Sequence, residues 1–241
     1  KIGKDDYGKL ALETLKKNNI DTKYIVQEKD LQTGVAGILI DKNSGKNAIN
    51  VITGAPSTFS FEDIKDKIEL IKKSKIFLTQ LEVPKDVTLQ CLKIAKENGA
   101  TTILNPAPAS SLSREFFKYI DYFTPNEIEA KFYTNISINS KSNARDASIK
   151  LIQMGIKKVI ITLGEKGLFY NDGKKEIHLD ATKVKAVDTT GAGDAFNGGL
   201  AYGLSKNQSI EECLELANKV GGMSTIKLGA GDSMPFLKDL S

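Results

Sequence analysis

Apolar positions along this chain follow two rhythms, one of helical period and one of short continuous runs. Residues 6–19 set Leu10, Leu12 and Leu15 among charged neighbours, which predicts an amphipathic helix. Residues 24–26, 34–40 and 47–51 then read as three strands, with 41–46 (DKNSGK) as a polar hairpin loop. Strands without helices between them predict a small β flap. After Pro56 the rhythm changes. Helices are expected over 61–73, 85–98 and 142–154, with Gly99 and Gly155 closing the last two. Apolar runs at 75–79, 101–104, 120–124, 159–163 and 168–170 predict strands. Such runs, separated by helices, predict an α/β fold with a mostly parallel sheet covered on both faces. In these sheets ligands bind beyond the carboxyl ends of the strands, so the residues that follow each strand carry the interest.

A length of 241 residues allows one large α/β domain with a small appendage. Apolar residues make up 40% and charged residues 27%, as in an ordinary globule. No apolar run is long enough for a membrane helix, and the opening KIGKDDYGKL has charges where a signal peptide has its apolar core. A cytoplasmic protein without a membrane partner is expected. The net charge of +4 comes from 34 basic and 30 acidic residues interleaved along helical stretches, the pattern of a solvated face rather than of a nucleic-acid footprint. Cys91 and Cys213 read as reduced, buried thiols. His178, in an alternating stretch, reads as a surface residue, and one histidine with two distant cysteines makes no zinc site.

The run DTTGAGDAFNGGLAYGL, residues 188–204, is the richest in chemistry. Small residues Gly191, Ala192 and Gly193 open a helix whose free N–H groups can face an anion. Asp194 sits in the same first turn. It either stabilises the helix dipole, as any acid there does, or accepts a proton in phosphoryl transfer. After the strand at 120–124 comes TPNEIEA. Asn126 is an N-cap with acids behind it, or else Asn126 and Glu129, three apart on one face, hold Mg²⁺ through water beside phosphates. Thr162-Leu163-Gly164-Glu165-Lys166-Gly167 is a tight turn after the next strand. Gly3 to Lys9 has the Gly-x₄-Gly-Lys spacing of a phosphate-binding loop, but Leu10 replaces the Ser or Thr that holds Mg²⁺ and no apolar strand precedes it.

The whole of 188–199 resembles the C-terminal signature of the ribokinase family, also called the PfkB carbohydrate kinases, and Gly3-Lys4-Asp5-Asp6-Tyr7-Gly8 is similar to its Gly-Asp-Asp-x-x-Gly segment. The resemblance covers nearly the whole chain. It implies a three-layer αβα sandwich with a β lid, residues 1–21 and 54–241 forming the main domain and 22–53 the lid. It implies ATP-dependent phosphorylation of D-ribose to D-ribose 5-phosphate, with fructose, 2-keto-3-deoxygluconate or a nucleoside as alternative acceptors and a non-catalytic relative as the remaining alternative. By the same resemblance Asp194 is the general base, and Gly191, Ala192 and Gly193 offer N–H groups to the γ-phosphate. Asn126, Thr162, Gly164, Gly167, Gly193 and Asn218 contact ATP, Glu129 organises Mg²⁺, and Asp188, Thr190, Gly229 and Ser233 hold a monovalent cation, usually K⁺. Glu82 contacts the sugar, although locally it reads equally well as a solvated loop acid, and 105–109 (NPAPA) is similar to a segment typical of ribose-specific members. The family also implies a homodimer paired through the lid. Its members carry, before the point matched by Lys1, a first strand, a sugar-gripping Asp and a Gly-Gly-x-x-x-Asn segment, and these lie outside the 241 residues.

Overall fold

The computed structural model describes residues 1–41 and 47–240. Strand β1 (Ile2–Gly3) leads into helix α1 (Asp6–Lys17). Asp5 caps the helix by accepting from Gly8 N–H (2.8 Å), and it also accepts from the Thr33 N–H and Oγ1–H (both 2.7 Å). A Cβ on Gly8 would lie 2.1 Å from the Gly3 carbonyl oxygen. The glycines here therefore permit a close strand-to-helix crossing and do not cradle a phosphate. Leu10, expected on the apolar face of α1, is 59% exposed. β2 is Gln27–Glu28, beyond the expected 24–26, because extended backbone becomes a strand only where it finds a partner, and β1 reaches Gln27 and Glu28. β3 (Val35–Ile40) and β4 (Asn47–Ile52) form an antiparallel pair from Val35 opposite Ile52 to Ile40 opposite Asn47. This is the expected flap. Its hairpin loop lies outside the described residues from 42 to 46.

The continuous helix expected over 61–73 is broken. Two 3₁₀ turns, Phe61–Asp63 and Lys65–Lys67, precede a short helix α2 (Ile68–Lys72). Ile64, between the turns, is drawn into a cluster with Val87, Cys91, Phe59 and Phe61, and this packing overrides the helical pattern. Then follow β5 (Ile76–Thr79), α3 (Lys85–Glu97), β6 (Thr101–Leu104), α4 (Arg114–Phe117), β7 (Tyr122–Phe123), α5 (Glu127–Thr134), α6 (Lys141–Gln153), β8 (Lys158–Thr162), β9 (Leu168–Asn171), β10 (Glu176–Leu179), α7 (Ala192–Ser205) and α8 (Ile210–Ser224). The six strands from β10 to β5 form one sheet in the order β10-β9-β8-β7-β6-β5. Its pairs are parallel from β5 to β8 and antiparallel from β8 to β10.

Alternation within the strands sorts side chains to two faces. Leu104, Phe123, Val159 and Ile161 pack with Leu92, Ala130, Ala147 and Leu151 on the α5 and α6 side. Ile103, Tyr122 and Ile160 pack with Phe196, Leu200, Leu214 and Ala217 of α7 and α8 on the other. The result is the three-layer αβα arrangement. Cys91 and Cys213 are buried free thiols, as expected, and burial pushes Cys91 up to about 11. His178, expected on the surface, has a side chain only 17% exposed. Among the described residues no helix is long and apolar enough to cross a membrane.

Candidate active site

The parallel strands point their carboxyl ends at one edge of the sheet, and the candidate residues follow those ends. β5 runs into Gln80 and Glu82, β6 into Asn105, β7 into Asn126, and β8 into the turn at 163–167. The loops are stitched together by backbone. Leu81 N–H donates to Ala107 O (2.9 Å), Thr162 N–H to Pro125 O (3.0 Å), and Asn126 forms a β-bridge with Thr162. The structure thus brings Asn126 beside Thr162, and the 105–109 segment against the loop bearing Glu82.

α7 begins at this edge. Gly191 is its N-cap residue at φ +77°, a left-handed conformation that favours glycine. The first intrahelical bond runs from Ala195 N–H to Gly191 O (2.9 Å), so the N–H groups of the first turn project from the helix end. Ala192 departs from its expected role: its N–H turns back to Thr189 O (3.2 Å), so it is not an open donor. At Gly193 a Cβ would meet nothing within 4 Å, which leaves room for a ligand against the backbone. Asp194 is exposed to solvent, yet surrounding protein partly desolvates its carboxyl and raises its pKa; a hydrogen bond from Gln80 Nε2 to Asp194 Oδ1 (2.8 Å) opposes the rise. The carboxyl of Glu82 is raised too, first by desolvation and then by the negative charge of Asp194. The two carboxyl groups therefore lie within electrostatic reach of each other. They lie far apart in sequence, and the fold joins them.

Asn126 and Glu129 form a complete capping box. Asn126 Oδ1 accepts from Glu129 N–H (2.9 Å), and Asn126 N–H donates to Glu129 Oε2 (2.8 Å). Glu129 is 6% exposed, with Asn126 Nδ2 on its other oxygen (3.1 Å), and desolvation raises its pKa. Both carboxylate oxygens are thus engaged, which suits contact with Mg²⁺ through water rather than direct ligation, and a nearby cation would offset the desolvation.

The turn after β8 closes through Leu163 N–H to Gly167 O (2.8 Å) and Gly167 N–H to Gly164 O (3.0 Å). Gly167, at φ +88°, admits no side chain: a Cβ would lie 1.9 Å from Leu179 O. Asn218 reaches across from α8, donating from Nδ2 to Asp180 O (2.7 Å). Gly167 and Asn218 thus meet the same segment at 179–180, while Thr162 ends β8 and Gly164 opens the turn that follows it.

Asp188 is 1% exposed, and its carboxylate joins two loops. Oδ1 accepts from Thr190 N–H and Oδ2 from Gly229 N–H, both at 2.9 Å. Hydrogen bonds, led by that of the Thr190 side chain, hold its pKa below the usual carboxylate value despite burial. Ser233, 3% exposed, donates from Oγ to Ala230 O (2.8 Å) in the second loop. A buried carboxylate that ties together two loops carrying hydroxyl and carbonyl oxygens is of the donor chemistry that suits a hard cation. Among the described residues no three His, Cys, Asp or Glu side chains cluster as a metal site.

Two residues escaped the sequence. Asn197, 3% exposed, donates from Nδ2 to Gly193 O (2.9 Å) and accepts from Thr124 Oγ1 (2.8 Å). This buried link fastens the first turn of α7 to the end of β7. Its sequence signal is an amide one turn beyond Gly193 on an otherwise apolar helix. Gln80 is the other, with no signal beyond its place after β5.

A family model described as pfkB family carbohydrate kinase matches residues 1–237. The chain is 36% identical over 242 residues to the ribokinase of Staphylococcus aureus, a match covering 100% of this chain and 79% of that protein. It is 36% identical over 245 residues to the ribokinase of Mus musculus, covering 100% of this chain and 76% of the mouse protein. A solved structure of Arabidopsis thaliana ribokinase complexed with ribose and ATP matches with a TM-score of 0.90 at 29% identity, covering 99% of this chain and 78% of that one.

Proposed function

Because the chain belongs to the pfkB family of carbohydrate kinases, we propose that it transfers the γ-phosphoryl group of ATP to the 5-hydroxyl of D-ribose. The family sets the reaction class, ATP-dependent phosphorylation of a sugar, and the ribokinase relatives favour ribose as acceptor. The observation that carries the reading is Asp194 in the first turn of α7, held by Gln80 from the carboxyl end of β5 and within electrostatic reach of Glu82. The ribose 5-oxygen bonds to the γ-phosphorus as the bond to the β–γ bridging oxygen breaks, giving D-ribose 5-phosphate and ADP. Asp194 takes the hydroxyl proton. Phosphoryl transfer has a loose transition state, so a modest base suffices and positioning does most of the work. N–H groups at Gly191 and Gly193 meet the charge on the equatorial oxygens.

Thr162, Gly164, Gly167 and Asn218 seat the nucleotide, with Asn126 toward its phosphates. Glu129 would hold Mg²⁺ through water, and that ion supplies charge neutralisation on the phosphate oxygens. Asp188, Thr190, Gly229 and Ser233 would hold K⁺ beside the anion hole. The β3–β4 flap acts as a lid that keeps water from the γ-phosphate. Its exposed Leu39 (76%) and Ile52 (64%) share one face of the hairpin and offer apolar surface to a second copy, which supports a homodimer through the lid.

The test is ADP release by the full-length protein with ribose, fructose, 2-keto-3-deoxygluconate and nucleosides. Ribose should give the highest kcat/KM. A higher value for another acceptor refutes the substrate, and no turnover with any refutes the kinase reading. Asp194→Asn should lower kcat by about 10²–10⁴, the range for a general base, and a full rate would refute that role.

A further inference from the structure

We propose that Gln80 is a positioning residue for the base: its side-chain amide grips Asp194 Oδ1 and presents Oδ2 to the acceptor hydroxyl. This rests on the kinase reading for its purpose, though the contact itself does not. Gln80 Nε2 lies 2.8 Å from Asp194 Oδ1 and spans 114 positions in sequence. The reach is held at both ends. Gln80 follows directly on β5, which packs against α7, and the next residue, Leu81, is 8% exposed in the core with its N–H on Ala107 O (2.9 Å). Asp194, at the other end, belongs to a turn fixed by Asn197 and Thr124. With both backbones anchored, the amide restricts the carboxylate to one orientation.

An amide donor also stabilises the ionised form that a base must start in. That contribution adds to the favourable field of the α7 N-terminus and works against two opposing influences. Desolvation raises Asp194, and Glu82 on the same loop as Gln80 is a like charge. Tyr202, two turns along α7, lines the same groove of about 350 Å³, and α8 and the C-terminal residues contribute Leu216, Val220 and Met234. Gln80 is thus the donor that the described side chains offer Asp194.

The experiment compares wild type with Gln80→Leu, which keeps the bulk and loses the donor, and Gln80→Asn, which keeps the amide and falls short by one methylene. In the full-length protein, Gln80→Leu should lower kcat about tenfold or more, in line with losing a hydrogen bond to a charged group. The acid limb of its kcat–pH profile should move up by about one pH unit, with KM for ATP unchanged. Gln80→Asn should lie between. A limb that stays at the wild-type pH in both variants overturns the proposal even if kcat falls, since a mere tether would lower the rate without moving the limb. Carboxyl ¹³C titration of Asp194 reads the same coupling without turnover. Its pKa should rise in Gln80→Leu, and an unchanged value overturns the proposal. If no sugar is turned over by wild type, the kinase reading falls while the titration still decides the Gln80 contact.

Discussion

Adding one methyl group at Gly193 separates stability from chemistry at this site. Gly193 is the second residue of α7, its φ is not in the left-handed region, and a Cβ there meets nothing within 4 Å. Gly193→Ala therefore introduces no clash and no backbone strain in the free protein. It removes the entropic cost of a helical glycine, worth at most about 1 kcal/mol and less near a helix end. For a chain of this size 1 kcal/mol corresponds to about 2–4 °C in Tm, so the variant should melt at or up to a few degrees above wild type. Activity should move the other way. In the proposed reaction the γ-phosphoryl group approaches the backbone through this vacant space, and a methyl there would hold it off by about 1 Å, a misplacement able to cost on the order of 10²-fold. Differential scanning calorimetry beside a coupled ADP-release assay measures both. A variant with unchanged kcat/KM would mean that the phosphate does not approach Gly193, and the anion-hole assignment would have to be abandoned. A large fall in Tm would show the reading of the local backbone to be wrong.

Asp121, before β7 at the opposite end of the strand from the site, should govern stability and leave catalysis alone. It accepts from Lys96 Nζ (2.6 Å to each oxygen) and from Thr102 N–H (3.1 Å) with its side chain 13% exposed, so Asp121→Asn should cost about 2 kcal/mol at pH 7 by urea unfolding. Its pKa is lowered in the folded state, burial being outweighed by Lys96 and Thr102, so its contribution is complete above the usual value of 3.8 and is lost as pH falls through the lower folded value. The gap between variant and wild type should therefore close in acid; a gap that stays constant to pH 2 refutes the assignment. Leu39→Glu, at a lid position 76% exposed, should convert a dimer to a monomer in light scattering without lowering Tm. An unchanged mass would place any dimer contact elsewhere.

What could be read in the sequence was local. The capping box of Asn126 and Glu129, the glycine-led start of α7 and the turn at Gly164 to Gly167 each depend on residues a few positions apart, and all three form. The alternation of helix and strand was legible because burial on two faces leaves apolar runs. The strand at 24–26 was misplaced because its partner, β1, is two residues long and carries no pattern. The 61–73 helix was misjudged because its pattern is helical while its burial against Val87 and Cys91 is decided by α3. Ala192 looked like a donor by its place in the glycine run, but the preceding turn claims its N–H. Gln80 and the Thr124–Asn197 pair stayed hidden for one shared reason. Each is half of a contact, and the other half lies 73 or more positions away.

Those two hidden contacts explain why a helix start, common in itself, can serve as a reaction centre. Asp194 and Asn197 are three apart and face the same way on α7. Gln80, from the end of β5, holds the first, and Thr124, from the end of β7, holds the second. One strand, β6, lies between β5 and β7 in the sheet. The helix terminus is therefore moored at two points across the sheet, which fixes both its distance from the edge and its rotation. The β7 end does double duty, for Thr124 is followed within two residues by Asn126, the cap of α5. Asp194 is thus referred to β5 directly and to β7 through Asn197, and β7 also leads into the cap of α5, so the proposed base and the proposed phosphate contact sit in one frame. In a reaction that depends chiefly on positioning, this common frame matters more than the strength of the base.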